Sequence, residues 1–92
     1  FMEEGRLHNA GECFARAVEL APRLPEARFQ LANYLLQTGD PDDAATELRE
    51  AQRLEPDNPD VSLLLGEVYL QLGKQAMAIS TMKEMLRHHP YH

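Results

Sequence analysis

At 92 residues, 43% apolar and 26% charged, the chain has the make-up of one soluble globular unit, and its composition excludes a disordered or fibrous protein. Its net charge of −6, with nine Lys and Arg scattered along the chain, argues against a nucleic-acid surface, because phosphate binding needs clustered cations. A basic peptide is the easier electrostatic partner. One cysteine, Cys13, excludes an internal disulfide, which fits a reducing compartment such as the cytoplasm and leaves the periplasm open. The longest apolar stretch, around Val61 to Leu72, is broken by Ser62, Gly66, Glu67 and Gln71, so no membrane insertion is expected.

In chain order, a first helix is predicted over residues 3–20; it carries Ala10, Phe14 and Ala17 on one face and ends before Pro22. Leu24-Pro25-Glu26 opens a second, over 26–38, with a proline but no good cap. Asp40-Pro41-Asp42-Asp43 opens a third, over 41–54, with an N-cap, a proline in the first turn and acids that complement the helix dipole. Asn58-Pro59-Asp60 repeats the device for a fourth, over 60–72, and a fifth follows over 75–88. Gly39 and Gly73 fall where helices should end, since glycine accepts the left-handed conformation common just past a C-terminus. Short loops make neighbouring helices antiparallel.

These elements repeat. Ala10, Phe14, Ala17 and Pro22 recur 34 residues later as Ala44, Leu48, Ala51 and Pro56, and again as Ala78, Met82, Met85 and Pro90. Gly5, Gly39 and Gly73 share the period, and it aligns Leu31 with Leu65, Ala32 with Gly66 and Leu35 with Tyr69. Small, large, small at those places lets helices cross closely while the bulky residue fills the gap beside the contact. Met85 departs from the rule. A fixed period of this length signals a solenoid, in which each unit is buried against its neighbours.

Leu65-Gly66 followed by Tyr69, with the Ala, Phe and Pro positions above, resembles the tetratricopeptide repeat. The resemblance covers the whole chain: the second helix of one repeat (1–24), a full repeat (25–58) and a second full repeat (59–92). It departs where the family often has tryptophan, because Arg28 and Ser62 stand there. It implies an all-α, right-handed solenoid of antiparallel helix pairs that acts as a protein-binding scaffold. The first helices of successive repeats would line a concave groove holding a peptide or partner helix.

Candidate groove residues are Glu26, Phe29, Gln30, Asn33, Leu36 and Gln37, spaced three and four apart, and the later equivalents Asp60, Leu63, Glu67, Leu70 and Gln71. Leu64 is assigned to the core. Phe29, Leu36, Leu63 and Leu70 would anchor an apolar ligand, unless they only pack helix on helix; Glu26, Asp60 and Glu67 would favour some basic character in it. Domains of this family that clamp the C-terminal carboxylate of heat-shock chaperones use Lys, Arg and Asn. Asn33 fits that scheme, but Phe29, Asp60 and Leu64 do not, so chaperone tails are not expected partners.

No catalytic motif and no cofactor site is apparent. His88, His89 and His92 are interrupted by Pro90 and read as a solvated helix end rather than a metal site. Cys13 and His8 point to different faces, so Cys13 reads as a small apolar filler. Asp40, Asp42 and Asp43 lack the glycine and glutamate of a calcium loop. Arg49 and Arg53, near Glu47 and Glu50, read as a solvated face with modest ion pairs. Phe1 opens the chain inside a repeat, so it reads as a piece of a longer protein. Leu7, Phe14 and Val18 at one end, and Ile79, Met82 and Leu86 at the other, lack the helix that would cover them, which makes homo-oligomerisation through the repeat ends the alternative to groove binding.

Overall fold

The computed structural model describes the backbone of residues 2–88 and side-chain surroundings from residue 10 to residue 87. Five helices occupy it: α1 (Met2–Leu20), α2 (Pro25–Gln37), α3 (Pro41–Leu54), α4 (Pro59–Gln71) and α5 (Gln75–His88). No strand occurs among the described residues. The all-α repeat architecture is therefore as expected, with three starts one residue earlier, those of α1, α2 and α4, the last two opening on Pro25 and Pro59. Each of those prolines belongs to the first turn, where its fixed φ suits the helix and its missing N–H has no intrahelical role.

The starts are held in different ways. At α4 the Asn58 side chain accepts the Asp60 N–H at 3.0 Å, the cap its sequence announces. Asp40 does not cap α3 with its side chain. Its carboxylate accepts the Thr38 hydroxyl at 3.3 Å instead, and its own carbonyl accepts the Ala44 N–H at 3.0 Å. Leu24 offers α2 no side-chain cap, as expected. At the other ends Gly39 and Gly73 take φ of 84° and 75°, the left-handed turn that stops α2 and α4. The N–H groups of Asp40 and Lys74 then reach back to the Leu35 and Tyr69 carbonyls, both at 2.8 Å.

Each helix packs on its chain neighbour: α1 on α2, α2 on α3, α3 on α4, α4 on α5. The molecule is accordingly long and thin, 45 × 28 × 18 Å. Ala44, Leu48 and Ala51 have no exposed surface, so the small-large-small pattern does set a close crossing in the middle of the chain. Ala32, Ala45, Val61, Leu65, Val68, Tyr69 and Ala78 complete this buried cluster, and Leu64 packs against it as assigned.

Between α1 and α2, Gly11 lies so close to the Tyr34 ring that a methyl group there would collide with it. Phe14 meets the same ring edge-on, centroids 6.2 Å apart. Cys13 is a correction to the filler reading: the thiol is exposed. The packed side of α1 runs through Gly11, Phe14 and Val18, and Cys13 sits opposite with Glu12, Arg16 and Glu19.

The two positions without tryptophan are filled differently. Arg28 donates to the Pro22 carbonyl at 3.0 Å and to Glu47 at 2.9 Å, bridging the first loop, α2 and α3. Ser62 is fully buried and accepts a hydrogen bond from the Gln52 side-chain amide at 3.1 Å, joining α3 to α4.

Candidate functional site

The predicted groove residues fall at three places. Glu26 and Phe29 of α2 and Asp60 of α4 come together at a cleft of about 380 Å³ between the first turns of the two helices. Leu24 and Pro25, Glu55 and Asn58 from the α3–α4 loop, and Val61 complete its walls. Proline positions all of this. Pro25 and Pro59 start equivalent helices, so Glu26 and Asp60, one residue on in each, stand at matching points of the first turn.

The cleft is negative at its rim and apolar inside. Glu26, Glu55 and Asp60 contribute three carboxylates, and among the described residues no Lys or Arg lines it. Asn58 organises one side: its amide donates to Glu55 at 3.2 Å while its carbonyl oxygen takes the Asp60 N–H. Phe29 packs against the core yet still lines the opening, so its ring is held in place by the fold. A cationic group lying across an aromatic floor among carboxylates is what such a cleft can hold.

Leu63, Glu67 and Leu70 lie elsewhere. With Ile79, Met82 and Leu86, the predicted edge residues, they line a trough of about 340 Å³ between α4 and α5, beside Gly66, Ala78 and Lys83. Leu63, Leu70, Ile79 and Leu86 are exposed there. Gln30, Asn33, Leu36, Gln37 and Gln71 line neither cavity. Of these, Leu36 packs on the core and Asn33 is half-buried, while Gln30, Gln37 and Gln71 face water.

A third hollow, about 500 Å³, opens between α3 and α5 over Leu65 and Tyr69. Burial pushes the Tyr69 phenol above its ordinary pKa, and the nearby Arg49 cation opposes the shift. Arg53 lines the same hollow and pairs with Glu50, as the sequence pattern indicates. That pair is solvent-exposed and its hydrogen bond lowers the Glu50 pKa.

Sequence reasoning missed Leu24, Glu55, Asn58 and Val61 in the cleft, because three of them belong to loops or caps rather than to the helical face being counted. It also missed Lys83 beside the trough. His89 and His92, and the side chains of Leu7, His8 and His88, lie outside the described residues. Among the described residues no group of three or more His, Cys, Asp or Glu is placed to hold a metal ion, and no helix is long and apolar enough to cross a membrane.

Paired antiparallel helices with proline starts, glycine stops and a buried Ala-Leu-Ala crossing define a helical-repeat protein. The chain belongs to the tetratricopeptide repeat family, which it matches over residues 29–92 and, through a second family description, over residues 1–52. It is 33% identical over 66 residues to anaphase-promoting complex subunit 3 of Schizosaccharomyces pombe, covering 72% of this chain and 10% of that protein. Against the subunit of the same name from Dictyostelium discoideum it is 31% identical over 71 residues, covering 77% of this chain and 7% of that protein. The chain thus spans a tenth or less of the length of these relatives. Its family makes it a module for protein–protein interaction.

Proposed function

We propose that the chain is a non-catalytic binding module that holds a peptide or partner helix of apolar and basic character at the mouth between α2 and α4. The observation that carries this reading is the acid-rimmed cleft: Glu26, Glu55 and Asp60 surround Phe29, with no cation beside them among the described residues. Apolar side chains enter such a cleft for affinity, and a Lys or Arg of the ligand meets the rim for orientation. The exposed amides of Gln30 and Gln37 extend the polar surface along α2. The two relatives are named as subunits of a complex, which supports a role in holding partners.

The test is a peptide-display selection on the parent chain and on a Glu26→Lys, Asp60→Lys variant, with folding of both followed by circular dichroism. Both residues are exposed, so the variant keeps the fold. Enrichment of peptides combining basic and apolar residues on the parent alone is the expected outcome. The same peptides on both proteins, or none on either, would sink the reading.

A further inference from the structure

The period of 34 residues sets the hollow between α3 and α5 against its earlier copy between α1 and α3. Ala15 and Glu19 of α1 become Arg49 and Arg53 of α3, and Asp42, Asp43 and Glu47 of α3 become Ala76, Met77 and Thr81 of α5. Of the acids only Glu50 recurs, as Glu84. At equivalent positions the earlier copy is therefore acidic wherever it is charged, whereas the later one sets two arginines against one acid on a chain of net charge −6. Arg49 makes no ion pair among the described residues. Glu84 is held by Arg87, and Arg53 by Glu50 in an exposed pair three residues apart that exchanges at little cost. Leu65 and Tyr69, 1% and 4% exposed, form an apolar floor, and Met77, 39% exposed, forms a wall that a ligand can reach.

Continuation of the array does not fill this hollow. It shares no residue with the trough between α4 and α5, where a further repeat would stack. In the earlier copy Glu19, Asp42, Asp43 and Thr46 stay exposed although two more helices follow α3, so adding a repeat leaves this side open.

We propose that the hollow receives an acidic segment of a partner protein, its carboxylates meeting Arg49 and Arg53 and an apolar side chain of the same segment lying over Tyr69 beside Met77. An arginine meets a carboxylate through parallel N–H donors, which fixes direction as well as charge. The exposed Ser80 hydroxyl adds a donor on the α5 side. None of these residues lines the acid-rimmed cleft, so the inference goes beyond the proposed function: one module takes a basic ligand at α2 and α4 and an acidic one at α3 and α5.

The probe is a random peptide library displayed on phage and selected on the full chain and on an Arg49→Glu, Arg53→Glu variant. Both arginines are exposed, so circular dichroism should show the variant folded as the parent. Peptides with Asp or Glu beside an apolar residue are expected to be enriched on the parent alone. A synthetic peptide of the enriched sequence, followed by fluorescence anisotropy, should bind the double variant about tenfold more weakly than the parent. Its binding to the parent should weaken as salt is added. Replacing the peptide's carboxylates by amides should cause a similar loss and leaves the protein untouched. Glu26→Gln with Asp60→Asn should leave binding intact, which separates this result from the cleft. Absence of acidic peptides among those enriched would overturn the inference. So would equal affinity for the parent and the Arg49→Glu, Arg53→Glu variant, equal affinity of the amide peptide, or equal affinity after the peptide's apolar residue is replaced by serine. Self-association of the parent in sedimentation that the double variant abolishes would overturn it too, since the acidic ligand would then be the α1–α3 face of a second copy.

Discussion

The junction of α3 with α4 and the trough of α4 with α5 are built on equivalent positions, yet one is interior and the other is surface. At the junction an alanine and a leucine are sealed under the next helix, and a half-buried amide-hydroxyl bond joins the two helices. At the trough an isoleucine, a methionine and a leucine stand in their place, without a partner for a hydroxyl. The lesson is that a repeat's position in its array, as well as its residue type, decides whether an apolar side chain is core or contact.

The largest effect that would sharpen this contrast is truncation of the shared large residue. Leu48→Ala, at a fully buried position, is expected to cost about 2–5 kcal/mol in urea unfolding, whereas Met82→Ala, partly open to water, should cost about 1 kcal/mol or less. Equal losses would mean that the two faces are equally covered. Next comes Gln52→Leu, which gives the junction the chemistry of the trough. It should cost about 1–3 kcal/mol by leaving Ser62 buried and unpaired, and adding Ser62→Ala should recover most of that.

These contrasts also mark what was legible in the sequence. Pro25, Pro41 and Pro59 and the glycines at 39 and 73 act through their own backbone angles, so helix limits could be read within one residue. Ala44, Leu48 and Ala51 were legible as a crossing for the same local reason. Glu26 and Asp60 could be paired because they are equivalent places in two repeats. The parting of Phe29 and Leu36 from Leu63 and Leu70 was not legible, since periodicity treats repeats as identical while burial depends on the next helix. Cys13 misled because residue type suggested burial where helical phase placed it outward.

A smaller effect bears on α4 itself. Gly66→Ala adds a methyl that meets the mobile end of the Met82 side chain, while Ala32 already occupies the equivalent place in the preceding repeat. Removing a helix-interior glycine should then raise stability by about 0.5–1 kcal/mol, read by thermal unfolding. A loss would show Met82 to be firmly held, closing the gap between the two faces. The smallest effect is in pH. Burial raises the Tyr69 phenol in the folded chain, so its contribution to stability is fully present below about pH 10 and is lost as pH rises through the folded value. Urea unfolding above pH 10 should therefore fall less steeply for Tyr69→Phe than for the parent.

That every substantial helix contact joins consecutive helices has a kinetic meaning. Closing each pair requires only a short loop, so little chain entropy is spent before contacts form, and folding should be rapid for a chain of this length. The most deeply buried segment, α2 to α4, can nucleate first, with α1 and α5 adding to it from either side. The same locality lets the outer helices detach without dissolving the middle, giving the molecule a gradient of opening along its length in place of a single all-or-none melt.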